Sequence, residues 1–295
     1  ILLISSCSIN KLVVDVLTDT LTGGEEESSV FTKDDDPQLV GDALPFILKL
    51  YEALLEENPQ NIKLLLTTGS GFIMYANTFV HSEAEMLPPE EYERKEALTK
   101  RAKKLYLRGR DYLLKALEIK YPGFKRSLSE NNFDQALNPV KKEDVPLLYW
   151  CAAGWFGAIA IDVFDLRLTI DLKKAEAIME RAYQLDPDFN NGAIHEFYIM
   201  YYSSLPEGMG GDKEKARYHF GKAVELTEGM SASPYIALAT TLCIKNQDVE
   251  EFRELLNRAL EIDPDATPEN RLINIINQRK ARWYLEHIED FFLIE

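Results

Sequence analysis

A chain of 295 residues that is 46% hydrophobic can bury one large helical domain or two small ones. Its 49 acidic residues against 33 basic ones leave a formal charge of −16, which repels phosphate backbones and makes nucleic acid a poor partner. Three cysteines, Cys7, Cys151 and Cys243, cannot all pair, and none has the Cys-x-x-Cys spacing of a metal site.

The acidity itself has two readings, solubility and the steering of a basic partner face. Residues 1–7 read Ile-Leu-Leu-Ile-Ser-Ser-Cys, an apolar run followed by two small residues and a cysteine. That order resembles the end of a bacterial lipoprotein signal, in which the sulfur receives a diacylglyceryl group. An ordinary apolar N-terminal segment is the competing reading. No other stretch reaches the roughly 18 apolar residues of a spanning helix, so the expectation is an anchored or soluble protein.

Lys11, Leu12, Val13, Val16 and Leu17 suit a short amphipathic helix over residues 10–21. Gly23-Gly24-Glu25-Glu26-Glu27 and Asp34-Asp35-Asp36 then read as a polar linker, and Asp36-Pro37 as a helix start. A calcium site at those aspartates lacks the alternating ligands and the glycine of an EF-hand loop.

From Pro37 onward helical periodicity is nearly continuous. The spacing predicts helices over 37–57, 61–80, 90–120, 146–165, 172–185, 190–204, 213–227, 233–245, 248–261 and 268–294. Polar connections are expected over 123–145 and 203–212, the latter a turn containing Gly208-Met209-Gly210-Gly211. Loops of that length often carry function, so both are expected to overhang a binding surface.

One spacing scheme recurs. Ala175, Met179 and Ala182 fall at i, i+4 and i+7 with Pro187 beyond them, and Ala216, Phe220 and Ala223 repeat the pattern. Phe252, Leu256, Ala259 and Pro264 repeat it again. Small residues on a stripe admit a neighbouring helix, and the proline ends the segment, as in the second helix of a tetratricopeptide (TPR) unit. The expected fold is therefore all-α, a TPR-like helix-pair solenoid with cryptic, insertion-bearing repeats, against an irregular helical bundle as the alternative. Residues 1–6 are expected to end a lipoprotein signal, 7–36 to form the lipid-anchored segment and acidic linker, and 37–295 to form the TPR-like domain.

Catalytic constellations are hard to assemble. His195-Glu196 opens like a zinc-protease helix, but Ile199 stands where the second histidine belongs. Gly69-Ser70-Gly71 lacks the spacing of a nucleophile elbow, and the glycine turn before Lys213 lacks that of a phosphate loop. No enzyme, no cofactor and no metal are expected. Aromatics are concentrated instead: Tyr149, Trp150 and Trp155 on one helix, Tyr198, Tyr201 and Tyr202 on another. On the first helices of a solenoid such residues fit either the core or a concave wall that binds a ligand or partner.

Several stretches together resemble one family. They are Cys7-Ser8-Ile9-Asn10-Lys11, Ser29-Val30-Phe31-Thr32, Gly41-Asp42-Ala43-Leu44-Pro45, Tyr75-Ala76-Asn77, Trp150-Cys151-Ala152-Ala153 and Glu207-Gly208-Met209-Gly210-Gly211-Asp212-Lys213. The set is similar to the TatT component, the TPR-containing periplasmic lipoproteins associated with tripartite ATP-independent periplasmic (TRAP) transporters. The resemblance implies a non-catalytic protein tethered at Cys7 in the bacterial periplasm. It implies a partner in the substrate-binding P component, a homotrimer, and a cavity or pore for an apolar or organic-acid ligand. The alternative is a TPR lipoprotein serving as an assembly or regulatory scaffold unrelated to transport.

Overall fold

The computed structural model describes residues 30–293, so the expectations for Cys7 and for a helix over 10–21 lie outside the described residues. Every regular element among the described residues is helical, and the fold is all-α. The described residues form two compact units, one of residues 38–185 and one of residues 30–37 with 186–293.

The first unit begins with α1 (Pro37–Glu57). Helix α2 (Ile62–Tyr75) is capped by Asn61, whose side chain accepts from the Leu64 amide, and it runs on through a π-helical turn (Ala76–His81). Helix α3 (Tyr92–Lys120) crosses α2. Two short helices, α4 (Phe124–Ser129) and α5 (Phe133–Leu137), lead to α6 (Val145–Ile161). A single turn, α7 (Leu166–Thr169), precedes α8 (Leu172–Leu185).

Glycine decides how closely these helices meet. A Cβ on Gly109 of α3 would lie 2.5 Å from the Gly69 carbonyl oxygen of α2, and one on Gly69 would lie 2.7 Å from Leu113 Cγ. On α6, a Cβ at Gly154 would meet Ile73 at 2.7 Å and the Tyr106 carbonyl oxygen at 3.1 Å. The backbones of α2, α3 and α6 therefore touch where a side chain would hold them apart. The predicted stripe of α8 is also internal, with Ala175, Met179 and Ala182 wholly buried.

Two expectations change here. Residues 123–145 are not a polar overhang, because Phe124, Leu128, Ala136, Leu137 and Val140 are buried. The carboxylate of Glu118 accepts from the amides of Gly123 and Lys125, and Arg181 of α8 donates to the carbonyls of Leu137 and Val140. The apolar residues alternate with charged ones at spacings too short for a long helical stripe, which conceals a packed corner. Secondly, residues 142–161 do reach the length and apolarity of a membrane-crossing helix. Packing explains that composition: α6 lies against α2, α3 and α8 and carries nine buried side chains or glycines, as a core helix does.

The second unit pairs α9 (Phe189–Ser204) with α10 (Lys213–Leu226). Helix α11 (Ser233–Leu238), extended by a π-helical turn (Ala239–Cys243), packs on α12 (Val249–Glu261), which packs on α13 (Arg271–Glu286). Ala216 and Ala223 are buried, as are Phe252, Leu256 and Ala259, while Phe220 is half-buried. Sequence-adjacent helices thus pack on each other, which a TPR unit and other helical hairpins share. The last helix ends at Glu286, short of the predicted 294, and a 3-10 turn (Ile288–Asp290) follows. Buried amides on α13 close the unit: Asn274 bonds both the Ala232 amide and the Met230 carbonyl, and Gln278 donates to the Ile262 carbonyl. Such groups stabilise only when paired, and both ends of the Asn274 amide are.

Candidate functional site

Three consecutive left-handed residues open α9: Asn190 (φ 48°), Asn191 (φ 52°) and Gly192 (φ 98°). Asparagine and glycine are the residues that tolerate that region, so this triplet sets where the aromatic helix begins. At the other end, Gly210 (φ +101°) turns the chain, and the Asp212 amide donates to the Tyr202 carbonyl at 3.0 Å. The Asp212 carboxylate then caps α10 by accepting from the amides of Glu214 and Lys215. Lys245 donates to the Ser203 carbonyl at 2.8 Å and to that of Leu205. The 203–212 connection is therefore a pinned turn whose job is to lay α10 beside α9.

That arrangement brings the tyrosines of α9 onto two histidines. Tyr198 is 6% exposed and stacks on His219, with ring centroids 4.8 Å apart and an interplanar angle of 27°. Tyr202 stacks on His219 at 5.6 Å and on Tyr198 at 5.5 Å. Tyr201 meets Tyr202 edge-on at 5.3 Å, and both are half-buried. The Lys215 ammonium sits 5.1 Å from the Tyr202 ring centroid, a cation–π geometry.

Beneath the rings, His195 Nδ1 and His219 Nδ1 are 2.8 Å apart, and both residues are buried. One imidazole must donate and the other accept, so the contact requires at least one neutral ring. Burial, then the neighbouring His195 and Lys215, push the His219 imidazole down to about 4. Burial also lowers His195, with Asp188 opposing it. Burial alone pushes the adjacent Glu196 carboxyl up to about 7. At neutral pH the pair is an uncharged, hydrogen-bonded floor under a tyrosine ladder.

The other expected residues lie in the first unit. Tyr149 and Trp150 are half-buried on α6, edge to face at 5.1 Å. Trp155 is 4% exposed, with the Arg110 guanidinium 4.8 Å from its ring centroid. The structure thus gathers Tyr198, Tyr201 and Tyr202 into one cluster and leaves Tyr149, Trp150 and Trp155 on a separate helix. His195 and His219 were not singled out from the sequence as a pair. The signal was present: His219 falls three residues after Ala216 and four before Ala223, on the buried stripe.

The cluster offers ring faces, phenol hydroxyls and an ammonium. Burial pushes the thiols of Cys151 and Cys243 up to about 12, so neither is a nucleophile at neutral pH. Among the described residues no three His, Cys, Asp or Glu side chains gather as a metal site would require. Phenol hydroxyls, ring faces and a lysine over an aromatic suit the capture of a partly apolar, partly polar surface.

Comparison with known proteins supplies the system. The chain is 37% identical, over 306 aligned positions, to an uncharacterized protein of Treponema pallidum (strain Nichols), with 99% of this chain and 95% of the relative covered. The family model of the TRAP transporter T-component matches residues 33–292. A scaffold role unrelated to transport no longer fits, since the match spans nearly all of the helical region: the chain belongs to the TAtT family, the T-components of TRAP transporters.

Proposed function

We propose that this chain is a non-catalytic, lipid-anchored periplasmic accessory that binds the substrate-binding P component of its TRAP system. The observation carrying the partner reading is the Tyr201–Tyr202 pair, half-buried above the imidazole floor, with Lys215 beside Tyr202. Partly exposed aromatics on a rigid base anchor interfaces, because they bury large area with little loss of side-chain freedom. An apolar or organic-acid ligand is the accompanying proposal, and Tyr149, Trp150 and Trp155 on α6 remain candidates for it. The homotrimer and the TPR-like repeat stay part of the same reading.

The test is capture of the P component by the wild-type chain and by Tyr201→Ala and Tyr202→Ala, each paired with a thermal melt. Capture is expected to weaken by about tenfold or more with little change in midpoint. A variant that melts early yet captures normally would return these rings to a purely structural role.

Anchoring is tested separately. Cys7→Ala is expected to move the protein from the membrane fraction of cells to the soluble one, because the acyl chains that hold it are lost. A wild-type protein that carries no lipid label would sink that part of the proposal.

A further inference from the structure

Between α6 and α8 the chain exposes a run of large apolar side chains. Val163 is 54% exposed, Phe164 89%, Leu166 78% and Ile170 79%. Side chains this free of neighbours stand out from the surface, unlike the half-buried rings of α9.

The backbone beneath them is held firmly. Lys103 of α3 bridges Asp162 at 2.8 Å and Asp165 at 3.0 Å. Asp165 caps α7 through the Arg167 amide, and the Thr169 hydroxyl donates to the Val163 and Asp165 carbonyls. Leu168 turns inward and is buried. Exposed apolar residues on a hydrogen-bonded turn are presented at a low ordering cost.

The local charge differs from that of the whole chain. Asp162 and Asp165 are paired with Lys103, Asp165 also with Arg167, and Asp171 with Lys174. Arg167 is 91% exposed at the side chain and lies between Leu166 and Ile170 in sequence. In a chain of net charge −16, every acid of residues 162–171 is thus paired, and the guanidinium of Arg167, which bonds Asp165 on one side, is exposed among the apolar tips. Protruding phenyl and aliphatic tips with a cation at their base suit the headgroup and acyl boundary of an anionic bilayer.

We propose that Val163, Phe164, Leu166 and Ile170 insert into an anionic lipid surface, with Arg167 at the headgroups, giving the protein a membrane contact independent of Cys7. It rests on the membrane-associated reading above but needs no transporter partner. The probe is a vesicle of phosphatidylcholine with one quarter phosphatidylglycerol, and the protein is the full chain carrying Cys7→Ser, so that no acyl group is present. Cosedimentation is expected, and Phe164→Ser with Ile170→Ser is expected to reduce it by at least about tenfold. Arg167→Gln is expected to weaken the preference for the anionic vesicle over pure phosphatidylcholine. In Phe164→Trp, bromine-tailed lipid is expected to quench the new emission beyond that of the three native tryptophans.

Both serine changes fall on exposed side chains, so the melting midpoint should hold and loss of binding cannot be ascribed to unfolding. No cosedimentation of the Cys7→Ser chain would overturn the proposal, as would equal cosedimentation of the serine variant. If that variant instead lost capture of the P component while vesicle binding was absent, the loop would be a protein-docking surface and the lipid proposal would be wrong. Capture by Tyr201 and Tyr202 variants reads the partner proposal independently, so the two can fail separately.

Discussion

Gly109→Val is expected to destabilise the first unit by about 3 kcal/mol or more, and Gly109→Ala by about 1–3 kcal/mol. A Cβ there would sit 2.5 Å from the Gly69 carbonyl oxygen and 2.7 Å from Ile73 Cγ1. The first of those neighbours is backbone, so relief requires α2 and α3 to separate, and separation loosens the contacts of Leu113, Leu65 and Ile73, all buried. Thermal melts followed by circular dichroism should show the valine variant down by about 6–12 °C. Gly221→Ala is the control. It lies within α10 with nothing within 4 Å of an added Cβ, so helix propensity should leave it neutral or up to about 1 kcal/mol more stable. A Gly109→Val protein melting with the wild type would mean that the helices do not meet there.

Acidification is expected to test the imidazole pair. His219 titrates near 4 in the fold against 6.5 for an ordinary imidazole, so the unfolded chain takes up the proton first. Its contribution to stability is fully present above about pH 6.5 and is lost as the pH falls toward 4, by at most about 3 kcal/mol. Glu196 acts with the opposite sign. Its carboxyl titrates near 7 in the fold against 4.5, so the folded chain keeps a proton that the unfolded one releases. That contribution is present below about pH 4.5 and fades as the pH rises through 7. The wild-type curve between pH 4 and 7 is therefore shallow, and variants separate the two. Urea midpoints of His219→Gln should converge on the wild type as the pH is lowered toward 4, while those of Glu196→Gln should gain on it as the pH rises. The measurement is decisive for His219 if the gap between His219→Gln and wild type stays constant from pH 4 to 8, since the pair would then not be a buried neutral one.

Much of this protein is legible in one dimension because helices repeat in one dimension. The stripes Ala175–Met179–Ala182 and Phe252–Leu256–Ala259 mark buried faces by spacing alone, and all six residues are fully buried. Asp212 declares its cap because a carboxylate before an apolar-periodic run has one strong local use. Helix ends are less legible where tertiary packing competes with propensity: α6 stops at Ile161 although apolar residues continue to Phe164, because Lys103 of α3 captures the two aspartates that follow.

What the sequence determined on its own is the all-α class, the buried stripes, the family and the concentration of tyrosine on α9. Only the tertiary structure decided which chemistry those tyrosines join. His195 and His219 are 24 residues apart, and their 2.8 Å contact depends on the left-handed entry at Asn190–Gly192 and the pinned turn after Tyr202. The same holds for the 123–145 corner, whose short apolar groups became buried only when Glu118 and Arg181 bound their backbone. Periodicity reports the face a residue occupies on its own helix; the residue it meets is set by crossings between helices, and those depend on close approaches such as Gly69 to Gly109 that no single segment encodes.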